Sequence, residues 1–471
     1  MNMNNETLLQ LAAAYGTPTY IFDTSALKSR VKAIHEIFGP DVSLCYSVKA
    51  NPFLIPAMLE AVDKLEVCSP GELQICEALY QRKTCSVQQE DCSSQRQSES
   101  SSLMPDDSFY KKIVYSGVCK TSADIACAIL DDVRIYTAES IPQFELLHNA
   151  AAAAGKMLPV LLRLESGAQF GMSEEDLFWI LDHKESYPHL TIEGIHYFAG
   201  TQRKKITRQV KELEMLRELF SKIRRQYGIA LPRLEYGPGL AVPLFEGEDF
   251  TDTLAPAREI AGALQSACEW ADVTVEMGRF FVTECGYYLT RVIERKHTGE
   301  KKYALVDGGI NHVSYAGQIM GMKVPVIRHL KPANRNLSTL QSESADETAS
   351  IPKLTSADEN ASIGQSDSNE ETIAICGSLC TTNDDLVREI QIKDLAPGDI
   401  LAFCNIGAYS VTEGIYLFLS RTMPRIVLYN AENDIQLARD FVESSRINTI
   451  GFHFSDNAAA LCAKAPNAAD K

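Results

Sequence analysis

The sequence predicts an α/β fold, with a (β/α)8 barrel followed by a C-terminal all-β domain. Up to Glu276, eight short apolar runs alternate with helical patterns, which is typical of parallel strands joined by helices. After Arg279 the pattern changes to strand-like runs with few helices between them. The predicted barrel strands are Val42–Val48, Leu65–Cys68, Ile113–Tyr115, Val133–Tyr136, Val160–Leu164, Ile192–Tyr197, Leu234–Tyr236 and Val273–Glu276.

Helical periodicity fills the intervals between these runs. The predicted helices include Thr24–Phe38, Gly71–Leu79, Ser122–Leu130, Gln143–Ala154 and Val210–Tyr227. The second domain is predicted from the strands Phe280–Arg295, Lys302–Asp307, Ile373–Ile375, Ile400–Cys404 and Ile415–Leu419, and the early strand Thr19–Asp23 is expected to join it. The barrel is therefore expected to span residues 29–278, and the β domain to combine residues 8–28 with 279–430.

Two segments interrupt this plan. Residues 85–108 and 334–370 are rich in Ser, Glu, Asp, Asn and Gln, and bury too little apolar surface to offset the entropy of ordering them. Both are predicted to be disordered insertions. The alanine-rich tail over residues 457–471 has no predicted role.

Composition excludes several classes of function. The chain has 471 residues with 62 acidic against 45 basic side chains and a net charge of −17, which argues against nucleic acid and anionic membranes as partners. No signal peptide or membrane-spanning run is predicted. The 13 cysteines form no paired framework, which predicts reduced thiols and a cytoplasmic protein. Cys376 and Cys380 lack the further ligands that a zinc site needs, so no metal site is predicted.

One lysine stands where a lysine is rarely found. Lys49 follows the predicted buried strand Val42–Val48, where desolvation disfavours its charged form. It is either a surface lysine that extends its ammonium into water, or an amine that forms a Schiff base with a carbonyl cofactor. Polar or glycine residues also fall at the other strand ends, where the active sites of such barrels lie: Ser69, Ser116, Glu139, Arg163, Gly200, Thr201, Gly237 and Glu276.

Nine short motifs occur in an order that resembles a known family. They are Ser47-Val48-Lys49-Ala50-Asn51, Ser69-Pro70-Gly71-Glu72-Leu73, Gln169-Phe170-Gly171-Met172, Gly194-Ile195-His196, Gly237-Pro238-Gly239, Glu276-Met277-Gly278-Arg279, Asp307-Gly308-Gly309, Gly377-Ser378-Leu379-Cys380 and Gly407-Ala408-Tyr409. The chain resembles the fold-type III pyridoxal-phosphate decarboxylases, the group of diaminopimelate, ornithine and arginine decarboxylases. The resemblance covers about residues 8–84, 109–333 and 371–430 and implies an alanine-racemase-like barrel with a β domain.

The resemblance implies how the cofactor is held. Lys49 would bind pyridoxal phosphate as a Schiff base, and Glu276 would pair with its pyridine nitrogen, keeping the ring protonated as an electron sink. The residues implied at the phosphate are Thr201, Gly237, Gly239, Arg279 and Tyr409, and Gly278 is a further residue implied at the cofactor. Pro238 interrupts the glycine turn and removes one N–H donor. Arg163 is implied at the ring hydroxyl, with a structural ion pair as the alternative.

The resemblance also implies a homodimer with shared active sites. In this family a cysteine at the position of Cys380 reaches the active site of the partner subunit and helps to protonate the carbanion. A site built from two chains implies a two-fold symmetric dimer. The residues implied at the substrate are Arg279, Asp307, Thr381, Asp384 and Tyr409.

Three positions depart from the diaminopimelate decarboxylases. Phe198 stands where the family has a histidine that stacks on the cofactor ring; phenylalanine stacks but does not titrate. Thr381 replaces the glutamate that holds the distal ammonium, and residues 311–317 lack the arginine that holds the distal carboxylate. The loss of both partners should cost several kcal/mol for meso-diaminopimelate. Residues 200–202 and 379–381 instead resemble a branch that decarboxylates glutamate tethered to a carrier protein.

These observations predict a dimeric pyridoxal-phosphate-dependent α-decarboxylase, a carboxy-lyase of an amino acid or conjugate other than meso-diaminopimelate. One alternative is a true diaminopimelate decarboxylase of lysine biosynthesis. Another is a regulatory relative that binds the cofactor without turnover, since folds outlive functions. An amino-acid racemase is disfavoured because related racemases place an arginine where this chain has Glu276.

Overall fold

The computed structural model describes residues 3–91, 108–315, 322–333, 370–432 and 434–451. The chain divides into two compact units. The barrel unit contains residues 30–242 and 252–281 of this described part, and the β unit contains the described residues of 1–29, 243–251 and 282–452. The greater part of both predicted insertions and the whole predicted tail lie outside the described residues.

Strands and helices follow one another along the chain as the periodicity predicts. The strands are β1 (Thr19–Asp23), β2 (Ser43–Ser47), β3 (Lys64–Val67), β4 (Ile113–Tyr115), β5 (Ile135–Ala138), β6 (Leu158–Leu164), β7 (Leu190–Phe198), β8 (Arg233–Gly237), β9 (Asp272–Met277), β10 (Gly286–Thr298), β11 (Lys301–Val306), β12 (Ile327–Leu330), β13 (Glu370–Cys376), β14 (Asp385–Lys393), β15 (Ile400–Cys404), β16 (Arg425–Tyr429) and β17 (Ile435–Arg439). The helices are α1 (Asn5–Tyr15), α2 (Thr24–Phe38), α3 (Ile55–Met58), α4 (Pro70–Asp91), α5 (Ser108–Lys111), α6 (Ser122–Leu130), α7 (Ile141–Ala154), α8 (Glu174–Asp182), α9 (Ile206–Tyr227), α10 (Ala255–Ala267), α11 (Arg279–Val282) and α12 (Ser410–Glu413).

The predicted barrel is confirmed. Strands β2 to β9 are all parallel and form a closed barrel, in which β2 pairs with β9 and sets Cys45 opposite Glu276. Each of the eight predicted runs overlaps one of these strands. The barrel brings every strand's carboxyl end to the same side, so Lys49, Phe198, Gly237 and Glu276 lie at one mouth.

Local sequence signals set the helices that join the strands. Thr121 and Asp124 form a reciprocal capping box at the start of α6. Helix α7 begins with Ser140, whose hydroxyl accepts from the N–H of Gln143 at 3.3 Å, and ends at Gly155 in the left-handed conformation. Such caps fix the helix ends independently of the barrel packing.

The barrel interior is unusually polar for this fold. One cluster is apolar and consists of Cys45, Val114, Ile135 and Leu161. Four of the other inward strand positions carry buried groups that ionise or hydrogen bond, namely Glu66, His196, Glu235 and Glu276, each at most 4% exposed. Barrel cores are normally filled by branched apolar side chains, so these residues mark a site rather than a packing layer.

The β unit is built on one nine-stranded sheet. Its main path runs β14-β13-β11-β10-β1-β16-β17, and β15 pairs with both β10 and β12. As expected, the early strand β1 joins this sheet, antiparallel to β10 and parallel to β16. Leu8 and Leu11 of helix α1 are buried in the same cluster as Ile21, Leu289 and Ala402 of the sheet.

Several predicted elements differ from the structure. The run Phe280–Arg295 starts in α11 and a short 3-10 turn, and the strand begins only at Gly286. Ile415–Leu419 is not a strand: Leu419 has φ +55° and the run forms a surface turn. Strand β17 continues the sheet beyond the expected limit at residue 430. Helix α4 extends to Asp91, so the first residues of the segment 85–108 are helical.

The close approach of β7 and β8 yields a first prediction. A Cβ added at Gly194 would lie 1.9 Å from the carbonyl oxygen of Arg233 on the neighbouring strand, whereas a Cβ at Gly262, in exposed helix α10, meets no atom within 4 Å. We expect Gly194→Ala to lower the free energy of unfolding by about 2–3 kcal/mol through overpacking. Gly262→Ala should raise it by about 0.5–1 kcal/mol because alanine favours the helix.

Urea unfolding of both variants, followed by circular dichroism, measures the two shifts. An unchanged midpoint for Gly194→Ala would mean that the strands can separate without cost at this position. The Gly262→Ala variant controls for the added methyl group.

Candidate active site

A single tight turn places Lys49 at the barrel mouth. Strand β2 ends at Ser47 and continues as a 3-10 turn over Val48–Ala50, closed by the N–H of Asn51 donating to the carbonyl of Val48 at 3.0 Å. The hydroxyl of Tyr46 donates to the carbonyl of Asn51 at 2.8 Å and secures the turn from inside. The motif Ser47-Val48-Lys49-Ala50-Asn51 is thus the strand end and the turn that orients the lysine.

Carboxylates surround the amine of Lys49. Its Nζ lies 3.0 Å from Oε2 of Glu66, 3.9 Å from Oε1 of Glu276 and 3.3 Å from Sγ of Cys68. The side chain is 39% exposed, while its amine contacts these groups. The sequence predicted only desolvation of this amine. The structure shows that its surroundings are also anionic.

Glu276 is the most constrained carboxylate of the site. It is 4% exposed, and its Oε1 accepts a hydrogen bond from the Ser47 hydroxyl at 2.9 Å, while Oε2 lies 2.8 Å from Nε2 of His196. Burial by itself would raise the pKa of Glu276, but the His196 hydrogen bond and the charge of Lys49 outweigh burial and hold the pKa well below its ordinary range. The side chain is thus an anion at the inner end of the site.

Two further carboxylates, Glu66 and Glu235, are buried in the barrel, and neither was among the predicted site residues. Glu235 is 1% exposed and faces His196 across the β7–β8 pairing. Burial raises its pKa to about 7. A signal for both was present, since each is an acidic residue inside a predicted buried strand, where an unpaired charge is costly.

Glycines let the loops after β7 and β8 approach each other. Gly239 has φ +60°, and a Cβ there would lie 1.8 Å from the carbonyl oxygen of Gly200. The N–H of Arg203 donates to the carbonyl of Gly239 at 2.9 Å. A Cβ at Gly237 would lie 2.4 Å from the ring of Phe198. The structure thus brings together the predicted residues of these loops, with exposed Thr201 beside them.

The loop after β9 packs on the lysine turn. A Cβ at Gly278 would lie 2.8 Å from that of Ala50. The next residue, Arg279, is 9% exposed and opens helix α11. Backbone N–H groups and an arginine gathered at one barrel mouth are the donors that bind a phosphate group.

Arg163 forms the structural ion pair that was the alternative, and its contact with the cofactor ring hydroxyl stays a prediction. Its guanidinium stacks on the Phe170 ring, 5.0 Å from the centroid, and lies 3.8 Å from the Glu139 carboxylate. An ion pair of that length leaves donors available for a ligand, since guanidinium carries five N–H groups.

The β unit holds the remaining predicted residues. Cys380 and Thr381 lie on the loop between β13 and β14, and Cys380 is exposed. Tyr409 precedes helix α12 with φ +65°, which is an uncommon conformation for a bulky residue and marks a constrained position.

Two predicted substrate contacts, Asp307 and Asp384, are committed inside the β unit. Asp384 accepts from the N–H groups of Ile310 at 2.8 Å and Leu379 at 2.7 Å, and so joins two glycine-containing loops. Asp307 accepts from the hydroxyls of Thr17 at 2.5 Å and Thr290 at 2.6 Å. Asp384 is buried and Asp307 is partly buried, so both carboxylates have structural roles within the β unit, and their contact with substrate stays a prediction.

The residues at the barrel mouth fit pyridoxal phosphate. A buried anion, Glu276, suits a protonated pyridine nitrogen, and the Lys49 amine lies 3.9 Å from it. In the loops after β7, β8 and β9, the glycines leave backbone groups accessible at positions where a Cβ would collide with a neighbouring residue. The site thus offers an acceptor for a protonated ring nitrogen and donors for a phosphate group.

Comparison with known proteins agrees with this geometry. The family described as pyridoxal-dependent decarboxylase, pyridoxal binding domain, matches residues 24–283, more than half of the chain. The chain belongs to this family. It is therefore a pyridoxal-phosphate-dependent decarboxylase, a carboxy-lyase, and the resemblance inferred from the nine motifs is confirmed.

The decarboxylase has full-length relatives at low identity. It is 23% identical over 451 residues to the L-glutamyl-(BtrI acyl-carrier protein) decarboxylase of Niallia circulans, covering 91% of this chain and 92% of that protein. It is 25% identical to the diaminopimelate decarboxylase of Aquifex aeolicus, covering 86% and 84% of the two chains. The crystal structure of the M. jannaschii diaminopimelate decarboxylase with L-lysine superimposes with a TM-score of 0.69 at 19% identity, covering 93% and 92%, and shows the same fold.

Bound pyridoxal phosphate supplies the electron sink that stabilises the carbanion left when CO2 departs. The decarboxylase contributes the surrounding charges. Glu276 presents an anion whose two oxygens are fixed by Ser47 and His196, so it cannot rotate away. Glu66 holds the amine of Lys49 at the barrel mouth through a 3.0 Å contact.

Removing either charged group should separate the two roles. We expect Lys49→Ala to abolish covalent retention of the cofactor, measured as the mass added after borohydride reduction, and to lower CO2 release by about 10³-fold or more. Glu276→Gln should keep the mass adduct but lower kcat by roughly 10²-fold, because a neutral amide does not hold the ring protonated.

Glu174→Gln is the matched control, since Glu174 is half-exposed and pairs with Lys222 on the helical surface. It should behave as wild type. A mass adduct that persists in Lys49→Ala would place the attachment on a different lysine.

Proposed function

We propose that the decarboxylase acts on an amino acid, or a conjugate of one, whose side chain lacks the distal charges of meso-diaminopimelate. The observation that carries this proposal is the nature of residues 311–315, which follow Asp307-Gly308-Gly309. All five side chains are buried, and none is a permanent cation. A buried carboxylate of the substrate would find no counter-charge here.

His312 does not replace the missing arginine. Its Nε2 lies 3.0 Å from the carbonyl of Thr422 and its Nδ1 3.0 Å from the hydroxyl of Tyr288. Burial lowers the pKa of His312 to about 4, so the ring is neutral at physiological pH. Both ring nitrogens serve contacts within the β unit.

Thr381 likewise offers no charge to a distal ammonium. Its hydroxyl accepts from the N–H of Asn383 at 3.3 Å within the same turn. The acidic residue closest in sequence, Asp384, is buried against the N–H groups of Ile310 and Leu379. The loop that follows Cys380 is thus better suited to an uncharged substrate segment.

A carrier-bound amino acid satisfies these requirements. The relative from Niallia circulans is named for a glutamyl group on an acyl-carrier protein. In this chain Lys205, Arg208 and Lys211 are exposed at three-residue spacing at the start of α9, beside the Thr201 loop. Positive charge at a helix N-terminus opposes the helix dipole, and it stands out in a chain of net charge −17. Such a cluster would attract an acidic partner protein to the barrel mouth.

We also propose a cytoplasmic homodimer in which the partner subunit's Cys380 completes each site. Near the Cys380 loop, the β unit exposes an apolar run, Ile415 to Leu419, in which Leu417, Phe418 and Leu419 are 43–48% exposed. Arg421 ties this run to the loop by donating to the carbonyl of Ser378 at 2.7 Å. A contiguous apolar patch beside an exposed cysteine suits burial against a second copy.

Substrate choice is tested by CO2 release from a panel of candidates. The panel contains meso-diaminopimelate, ornithine, lysine, arginine, free glutamate and glutamate as a carrier thioester, with Lys49→Ala as the blank. We expect release from the thioester or another substrate without distal charge, at a kcat/KM at least about 10²-fold above diaminopimelate, the ratio for losing two buried charge partners.

Efficient release from diaminopimelate would overturn the substrate proposal and make the protein a lysine-biosynthesis enzyme. Silence across the panel, with the cofactor bound, would instead favour a regulatory relative. Triple charge reversal of Lys205, Arg208 and Lys211 to Glu should raise KM for the thioester and leave free amino acids unaffected.

The dimer is tested by Phe418→Asp, which places a charge in the exposed apolar run. We expect this variant to elute as a monomer in size-exclusion chromatography with light scattering, and to lose activity by at least about tenfold because Cys380 no longer reaches a neighbouring site. Leu437→Asp, on strand β17, is the control because Leu437 is similarly exposed, at 38%, but lies on a different element. A monomeric wild type that retains full activity would contradict the shared site.

A further inference from the structure

We propose that Glu235 is a positioning residue: acting through His196, it holds Glu276 as the anion that faces the cofactor. This inference rests on the role given to Glu276 but not on the identity of the substrate. It adds to the site a residue on β8, one strand away from Glu276 on β9.

The three side chains form a compact group in the barrel interior. One ionisable atom from each of His196, Glu235 and Glu276 lies within 4.8 Å of the other two. His196 and Glu235 are directly opposite each other in the β7–β8 pairing. His196 already contacts Glu276 through Nε2 at 2.8 Å, so its other nitrogen, Nδ1, is the atom left for Glu235.

Buried atoms without hydrogen-bond partners indicate where His196 and Glu235 would interact. Within the described residues, Nδ1 of His196 and both carboxyl oxygens of Glu235 are buried and have no hydrogen-bond partner. Buried polar atoms are costly when unpaired, and these two groups are neighbours. A hydrogen bond between Glu235 and Nδ1 of His196 would satisfy atoms of both groups.

Burial favours the neutral form of Glu235, and the charged groups around it act in both directions. Facing it are Cys45 on β2, Lys64 and Glu66 on β3, His196 on β7 and Glu276 on β9. Lys64 donates to the hydroxyl of Thr274 at 2.7 Å. Burial is the largest effect and raises the pKa of Glu235 to about 7; Lys64 and His196 oppose this rise, and Glu276 and Glu66 add to it by smaller amounts.

The proton arrangement balances without any other reactant. Neutral Glu235 donates its O–H to Nδ1 of His196, which fixes the proton of the ring on Nε2. Nε2–H then donates to Oε2 of Glu276, which stays ionised. If the proton moves from Glu235 to Nδ1, the ring becomes a cation between two anions, and the three groups still share two protons. In both forms Glu276 receives a hydrogen bond.

Two substitutions separate this role from simple packing. In Glu235→Gln the amide N–H2 replaces the O–H as donor to Nδ1. In Glu235→Leu the volume is kept but the donor is lost. We expect Glu235→Leu to lower kcat at least tenfold with little change in KM, and Glu235→Gln to recover most of that loss.

The absorption spectrum of the bound cofactor gives a readout besides activity. In Glu235→Leu the pH midpoint of the cofactor band should shift by at least half a pH unit relative to wild type, because Glu276 loses its fixed donor. Glu235→Gln should keep the wild-type band at pH 6 and remove the wild-type change near pH 7. Glu193→Gln, at the opposite end of β7 and paired with Arg233 at 3.1 Å, is the control carboxylate.

The cofactor-free protein provides an independent test. Because the pKa of Glu235 is raised by folding, wild type should lose stability relative to Glu235→Gln as pH rises above 5, and the difference should level off above about pH 7. A pH-independent difference in melting temperature would overturn the proposal.

Equal kcat values and equal cofactor spectra for Glu235→Gln and Glu235→Leu would also overturn it, since packing alone would then explain both. Glu276→Gln separates the role assigned to Glu276 from the role proposed for Glu235. If Glu276→Gln leaves kcat unchanged, the assigned role of Glu276 fails; if it lowers kcat while both Glu235 variants match wild type, only the role of Glu235 fails.

Discussion

The hydrogen bond between His196 and Glu276 is the interaction on which the site depends. A carboxylate buried to 4% exposure is costly in a barrel core, and it persists as an anion only because His196, Ser47 and Lys49 surround it. The same contacts fix its direction. A fixed buried anion suits a protonated pyridine nitrogen, so the contacts that stabilise the buried charge also support the role predicted for Glu276.

Glycines fix the arrangement of the loops after β7, β8 and β9, as His196 fixes the orientation of Glu276. At Gly237, Gly239 and Gly278 a Cβ would lie within 2.8 Å of Phe198, Gly200 and Ala50 respectively. These contacts hold the loops against each other and leave the backbone accessible. Glycine at these positions therefore answers a packing constraint as well as a phosphate-binding one.

The substrate proposed for the decarboxylase depends on neutral groups as much as on charged ones. His312 lies in the segment where diaminopimelate decarboxylases carry an arginine, yet burial keeps it uncharged and its nitrogens contact Tyr288 and Thr422. Asp384, the acidic residue closest to Thr381 in sequence, accepts hydrogen bonds from two loop N–H groups. Charges present in the sequence are thus withdrawn from solvent and from substrate by the fold.

The sequence by itself determined the barrel, its eight strands, the place of Lys49 after the first of them and the family, because periodicity and short motifs are local properties of the chain. It misassigned Ile415–Leu419 as a strand, since an apolar run that forms an exposed turn has the same composition as a buried one. Tertiary structure alone decided that Asp307 and Asp384 serve the β unit and that Glu66 and Glu235 face the barrel interior. These assignments depend on which side chains from distant strands meet, and neighbours on different strands, such as His196 and Glu235, are 39 positions apart in sequence.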